Sequence, residues 1–343
     1  MQLRSAVRAA LRQPPGAGGN AGEHGRPLVL VALSGGADSL ALAAALAAEA
    51  ASAGVRAGAV IVDHGLQRGS AEIAERAAVQ ARALGLDPVI VRRVTVAEDR
   101  GSDSDGPEAV ARTARYEALV AAASEFGAGT VLVAHTRDDQ AEQVLLALAR
   151  GSGTRSLSGM PTERRLAGGV RLLRPLLEER FGVTRRTTER SCAELGLEPW
   201  HDPHNTDPAF TRVRVRDRVL PVLEKQLGPG LAAGLARSAD LAREDADALE
   251  ALAREAVGAI LARKATGPLV VPAGLLAERP AAVRNRMIRL IAAERFASGL
   301  SREHTLAIAS LVTDWRGQGP AHVPGVEVRR EGADLVFSLR EPQ

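Results

Sequence analysis

Apolar residues in the N-terminal part of the chain come in short continuous runs, and the stretches between them carry helical spacing. The runs over 28–33, 57–62, 88–94 and 130–134 read as strands, with helices over 40–53, 71–84 and 108–126 between them. Strands that are apolar throughout, rather than at alternate positions, are buried on both faces. Their alternation with helices predicts an α/β fold built on a doubly wound parallel sheet. Residues 1–12 read as a short amphipathic helix, and the Gly- and Pro-rich stretch 13–26 as a mobile connector. Residues 98–107 read as a flexible acidic loop leading into the helix at 108. From about residue 222 the pattern changes to long Ala/Leu/Arg/Glu helices over 230–264, 281–297 and 302–313. A strand–turn–strand over 326–337 follows. This divides the chain into an N-terminal helix and linker (1–26), an α/β domain (27–220) and a smaller helical domain with a β tail (221–343).

Composition sharpens this picture in three places. Of the 343 residues 45% are hydrophobic but only 2% aromatic, so the core must be aliphatic and rich in Ala, with material enough for two domains. The formal charge is +3, and Lys225 and Lys264 are the only lysines, so phosphate contacts would fall to arginine forks. A charge so small is weak support for a nucleic-acid partner. The single cysteine, Cys192, excludes an internal disulfide and a Cys-cluster metal site, and its helical surroundings suit a buried thiol. No apolar stretch reaches the ~18 residues needed to span a bilayer. Arg4, Arg8 and Arg12 lead into Gln13-Pro14-Pro15-Gly16 rather than an apolar signal core. The chain therefore reads as cytoplasmic, with no membrane partner.

Candidate chemistry falls at the ends of the predicted strands. Ser34-Gly35-Gly36-Ala37-Asp38-Ser39 joins the first strand to the first helix. Adjacent glycines at such a turn leave backbone N–H groups free to converge on an anion, and the helix N-terminus adds its partial positive charge. The two hydroxyls can donate to phosphate oxygens, and Asp38 can hold a Mg²⁺ that bridges them. The Lys-Ser/Thr end of a Walker A loop is missing. Asp63-His64-Gly65 ends the second strand and His135 the fourth. In doubly wound sheets ligands bind at these carboxyl ends. After His135, Asp138, Asp139 and Glu142 lie on one face of a helix beginning near Arg137. Thr136 with Asp139 also fits a capping box, which would explain the acids without a site but leaves His135 and Gln140 unaccounted for.

The 34–39 loop resembles the PP-loop of the ATP pyrophosphatases, which cleave ATP between its α- and β-phosphates. Six segments in order extend the likeness: that loop, Val62-Asp63-His64-Gly65-Leu66, Ala134–Glu142, Arg150-Gly151-Ser152-Gly153, Arg174-Pro175-Leu176-Leu177, and Trp200 with Asp202-Pro203-His204-Asn205. Together they resemble the tRNA(Ile)-lysidine synthetase family over about residues 26–220, and more loosely beyond. The resemblance implies an N-type ATP pyrophosphatase domain that uses ATP and Mg²⁺. It implies as substrates tRNA(Ile) with a CAU anticodon and free L-lysine. The C2 oxygen of the wobble cytidine is adenylated, and the lysine ε-amine then displaces AMP to give lysidine. By the same resemblance Ser34, Gly35, Gly36, Ala37, Asp38 and Ser39 grip pyrophosphate, and Asp63 and His64 join the ATP site. Asp38 reaches Mg²⁺, while His135, Asp139 and Glu142 line the place of lysine and activated base. Arg112 and Arg115 match a helix behind a mobile loop, with Arg112 as a phosphate contact. Gln67 departs from the family's usual Arg after Asp-His-Gly-Leu, which leaves Arg68 to take over that contact. A larger C-terminal domain found in some members is shortened or absent here, and a homodimer is allowed by the resemblance without being required.

The chemistry suits these residue types. Carboxylates can bind an ammonium and accept its proton, and charge building on pyrophosphate calls for Mg²⁺ and aimed N–H donors. Three rivals fit less well. A tRNA thiolation enzyme on the same domain generally uses paired cysteines. Small-molecule ligases of the NAD or GMP synthetase type do not call for the Asp63–Leu66 and Trp200–Asn205 segments or the helical domain. A non-catalytic nucleotide-binding protein gives no reason for the residues from His135 to Glu142. Finally, residues 211–218 hold Arg212, Arg214, Arg216 and Arg218. As a strand these would form one basic stripe; as a helix Arg212 and Arg216 share one face and Arg214 and Arg218 another. The resemblance favours the helix, with Arg212 against an ATP phosphate or the tRNA backbone.

Overall fold

The computed structural model describes residues 1–12, 25–65, 69–94, 107–262 and 267–340. The connector expected over 13–26 and the acidic loop over 98–107 fall almost wholly outside these residues, and Gln67 and Arg68 lie outside them. By internal contacts the chain divides into two compact units, Met1–Asp240 and Leu241–Gln343.

The first unit is built on a six-stranded sheet ordered β3-β2-β1-β4-β6-β5, from β1 (Leu28–Ala32), β2 (Arg56–Asp63), β3 (Val89–Arg93), β4 (Ala128–Leu132), β5 (Glu163–Arg165) and β6 (Arg171–Leu173). All neighbours are parallel except β5, which pairs antiparallel with β6. Helices α2 (Ala37–Ala50), α3 (Ser70–Ala83) and α4 (Pro107–Glu125) make the crossovers, so the α/β doubly wound architecture read from the sequence is the one observed. Because strand side chains alternate between faces, β1 feeds two cores. Val29 and Val31 join Leu40, Leu42 and Leu46 on one side; Leu28 and Leu30 join Val60, Ile90 and Leu119 on the other. Both are aliphatic, as the composition requires. The strands pack so closely that a Cβ at Gly58 in β2 would stand 2.7 Å from the Pro88 carbonyl oxygen.

Helix α1 (Gln2–Leu11) buries Leu3, Ala6, Val7 and Ala10 in the same core as α2. Its polar face supplies Arg4 and Arg8 to Glu49 of α2, at 2.5 and 2.7 Å, and the Glu49 side chain is 1% exposed. Beyond β4 come α5 (Arg137–Ala149), α6 (Thr154–Leu157), α7 (Arg185–Glu194), α8 (Thr211–Arg214) and α9 (Leu220–Leu227). The boundary between units falls within α10 (Leu231–Leu261).

The second unit pairs β7 (Leu269–Pro272), β10 (Asp334–Leu339), β9 (Val326–Glu331) and β8 (Ala321–Val323) in that order, all antiparallel. Helices α11 (Ala273–Ala277), α12 (Ala281–Phe296) and α13 (Arg302–Thr313) share its core with the fully buried Phe337. The expected strand–turn–strand is β9 and β10; β7 and β8 are additional. Among the described residues no helix is long and apolar enough to cross a membrane.

Candidate active site

The carboxyl ends of β1, β2, β4 and β6 meet at one edge of the sheet, where the strand order turns about β1 and β4. At the end of β1 the Ser34–Ser39 loop is braced from within. The Ser34 N–H donates to Ser39 Oγ at 3.1 Å, the Ser39 hydroxyl donates to the Gly36 carbonyl at 2.9 Å, and the two hydroxyl oxygens lie 3.1 Å apart. Gly35 has φ +84°, a conformation that other residues rarely adopt, and its carbonyl accepts from the Trp200 N–H at 2.9 Å. Gly36 is the extended N-cap of α2, so the N–H groups of Ala37, Asp38 and Ser39 have no acceptor within the helix. A phosphate would find these donors already aligned.

Asp38 stands in that first turn. The Thr188 hydroxyl donates to its Oδ1, and the Arg185 Nε is 3.9 Å from its Oδ2. Burial, with Asp139 and Asp138 adding repulsion, pushes this carboxyl up to about 6 despite the Thr188 bond and Arg185. Cys192 also packs here. Its thiol donates to the Ala37 carbonyl at 3.4 Å and burial raises it to about 11, which marks a structural thiol.

Helix α5, after β4, presents the acids. Its Thr136–Asp139 capping box forms: the Thr136 N–H donates to Asp139 Oδ2 at 2.8 Å. That occupies one oxygen of Asp139. The other, Oδ1, faces Arg185 at 3.2 Å and Arg212 at 3.4 Å. Burial pushes Asp139 up, but Arg212 and Arg185, with the Thr136 N–H, outweigh it and hold the carboxyl below its usual range. Glu142, fully buried, takes the Arg212 Nε at 2.7 Å on Oε2, the Arg216 Nε at 2.8 Å on Oε1, and Arg185 at 3.5 Å. Asp138 instead accepts the backbone N–H of Arg185 at 2.7 Å, fixing the start of α7.

His135 lies on a second chain of contacts. The Arg174 Nε donates to His135 Nδ1 at 3.1 Å, Arg174 also reaches the Tyr116 hydroxyl at 3.3 Å, and Arg112 reaches that hydroxyl at 3.1 Å. Burial, reinforced by Arg174, Arg212 and Arg112 and opposed by Asp139, holds the imidazole well below its ordinary value, so the ring is neutral. At the end of β2, Asp63 Oδ1 accepts the Gly65 N–H at 3.0 Å. Burial opposes its ionisation, but the Ser70 hydroxyl and the Gly65 N–H bring it below its usual range. Arg115 donates to His64 Nε2 at 3.3 Å, and burial together with Arg115 lowers the His64 imidazole.

The structure therefore brings Asp38, Asp139, Glu142 and Arg212 together around Arg185. His135 and Arg112 adjoin through Arg174 and Tyr116, and His64 with Arg115 stands at the end of β2. Residues 211–219 are helical, with a π-helical turn over Val215–Val219, so Arg212 and Arg216 share Glu142. Arg214 turns away to the Pro208 and Ala209 carbonyls, each at 2.7 Å. Arg185 and Thr188 belong to no motif legible in the sequence. One signal was there: Arg185 and Arg186 open a helix, where the dipole disfavours cations.

Residues 15–223 match the model of the PP-loop domain, and residues 272–336 that of the TilS substrate binding domain. The tRNA(Ile)-lysidine synthase of Leifsonia xyli is 53% identical, covering 98% of this chain and 99% of its own. That of Thermobifida fusca is 50% identical over 98% and 96%. Among solved structures, the U34-tRNA thiolase of Methanococcus maripaludis shares the fold, with a TM-score of 0.55 at 18% identity over 71% of this chain and 79% of that one. With both matched segments in order and half the residues shared from end to end, the chain belongs to the tRNA(Ile)-lysidine synthase family.

Proposed function

We propose that the site joins free lysine to C2 of the wobble cytidine of tRNA(Ile) with a CAU anticodon, in two steps. In the first, the cytidine C2 oxygen bonds to the α-phosphorus of ATP, the α–β bridging P–O bond breaks, and pyrophosphate leaves. The Ser34–Ser39 loop receives the leaving phosphates on the first-turn N–H groups of α2 and the two hydroxyls. Arg112 and Arg115 reach the remaining phosphate charge, with Asp63 and His64 at the ATP edge of the site. In the second step the lysine ε-nitrogen bonds to C2, the bond to AMP breaks, and the amine proton passes to a carboxylate. Asp139 Oδ1 and Glu142 supply that carboxylate and hold the ammonium beforehand.

Mg²⁺ takes one or two protein carboxylates and completes its shell with water and substrate phosphates. Asp38 fits this demand, since it sits in the first turn of α2 with Asp138 and Asp139 crowding a charge that Arg185 meets only at 3.9 Å. Bound there, Mg²⁺ would neutralise charge building on pyrophosphate. A tRNA substrate would also place the activity in the cytoplasm. Every residue proposed for the chemistry lies in Met1–Asp240 of one chain, which is compatible with a homodimer.

The observation that carries this reading is Arg185, which links Asp38 of the phosphate loop to Asp139 and Glu142 of α5. The test is incorporation of radiolabelled lysine into tRNA(Ile). It should require ATP and release AMP and pyrophosphate in step with lysine. Incorporation that proceeds without ATP, or none with a correctly folded chain, would overturn it.

A further inference from the structure

We infer that Arg174 holds His135 in the Nε2-protonated tautomer, so that the ring meets the substrate as a hydrogen-bond donor and never as a base. Arg174 is 2% exposed, and all three of its donor nitrogens are used. Nε donates to His135 Nδ1 at 3.1 Å, one terminal nitrogen to the Pro161 carbonyl at 2.8 Å, and the other to the Tyr116 hydroxyl at 3.3 Å. A guanidinium has donors only, so the bond to Nδ1 consumes that nitrogen's lone pair. A neutral imidazole carries one ring proton, which must then sit on Nε2. No carboxylate among the described residues pairs with Arg174, so the imidazole is one of three neutral acceptors that hold this cation in place.

The sheet builds the contact. Leu132 of β4 pairs with Leu173 of β6, and the Val133 N–H continues the ladder to the Leu173 carbonyl at 2.9 Å. The residues leaving the two strands, His135 and Arg174, are thereby carried out side by side. Arg174 is anchored by its own N–H to the Thr162 carbonyl at 2.7 Å. Resting on the function proposed above, this makes Arg174 a positioning residue. His135 offers N–H to an oxygen of the phosphate or of the base, and the proton shed by the lysine amine must go to a carboxylate.

Nitrogen-15 long-range correlation spectra of the full chain test this without substrate, the His135 signals being assigned by their loss in His135→Asn. The wild type and Arg174→Lys, which keeps a donor, should both show a protonated Nε2 and an unprotonated Nδ1. Arg174→Met keeps bulk but no donor. It should mix the tautomers and lower kcat on the order of 100-fold, the cost of one misdirected donor, with KM for ATP and tRNA within about twofold. A wild-type ring protonated on Nδ1 overturns the inference, as does a folded Arg174→Met that keeps both tautomer and kcat. If Arg174→Met does not fold, the wild-type and Arg174→Lys spectra decide. A chain with this tautomer that makes no lysidine would refute the proposed reaction and leave the Arg174 assignment standing.

Discussion

At the scale of single residues, the site is a cluster of acids in which one member is short of compensation. Arg185, Arg212 and Arg216 serve Asp139 and Glu142, while Asp38 holds its proton up to about pH 6. A carboxyl whose folded value is raised from 3.8 to about 6 makes the fold lose stability as pH rises between those values, with the penalty complete above the upper one. Asp38→Asn keeps an oxygen for the Thr188 hydroxyl and removes the charge. It should melt at or above wild type at pH 7–8, lose this advantage near pH 4, and release no AMP. Thermal scans across pH beside an AMP assay check both halves. Asp139 separates differently, because Oδ2 caps α5 and Oδ1 faces the arginines. Asp139→Asn keeps the cap but leaves Arg185 and Arg212 facing a neutral amide, so it should lower stability as well as raise the KM for lysine, and Asp139→Ala should lose in addition about 1 kcal/mol of capping. Glu142→Gln leaves three part-buried guanidiniums facing a neutral amide and should cost up to about 3 kcal/mol, read by denaturant melts beside lysine-saturation kinetics.

At the scale of elements, α1 and the Arg212–Arg216 segment each depend on charge aimed at one glutamate. Glu49 is brought down to about 2 by its bond from Arg8 first, against burial, with Arg4 adding to it. A depressed carboxylate contributes stability that is present above about pH 4.5 and lost as pH falls toward 2. Since both arginines are half exposed, Glu49→Gln should cost only about 1–2 kcal/mol, and its difference from wild type should vanish near pH 2. For the arginine segment the sequence alone leaves two geometries open. Period-2 and period-3.6 patterns both fit four arginines at alternate positions; the structure has the helix, in which Arg212 and Arg216, four apart, meet on Glu142 while Arg214 turns away. Replacing Arg212, Arg214 and Arg216 together should weaken tRNA binding and lower its log–log salt slope by roughly one unit for each phosphate no longer neutralised. Wild-type affinity, slope and turnover would reduce the segment to a structural clamp on Glu142.

At the scale of the molecule, the two units stand on separate cores with opposite sheet types. The aromatic residues of this aliphatic chain are few, yet Phe337 is fully buried in the second unit with its ring 6.4 Å from Phe296. Phe337→Ala should therefore destabilise that unit by about 3–5 kcal/mol and weaken tRNA binding, while ATP binding by the first unit persists. Circular-dichroism melts with nucleotide and tRNA titrations distinguish this from a uniform loss.

Local pattern alone determined that β1 to β4 are strands, that glycines and hydroxyls sit where β1 turns into α2, and that acids open α5. Each of these is a matter of near neighbours and of residue type. Burial on both faces fails for β3, which lies at the sheet edge and buries only Ile90. The short strands β5 to β8 escaped notice because three or four residues carry too little periodicity, and only pairing gives them a place. The same limit hid Arg185, and, for Arg174, which opens one of the six segments read in the sequence, its contact with His135. Arg185 lies 43 residues from Glu142 along the chain, and Arg174 lies 39 from His135. Their meaning arises when β6 pairs with β4 and α7 docks beside the phosphate loop. Which acid keeps its charge, which oxygen caps a helix and which imidazole nitrogen bears the proton depend on burial and on distances of about 3 Å. Only the folded chain sets those.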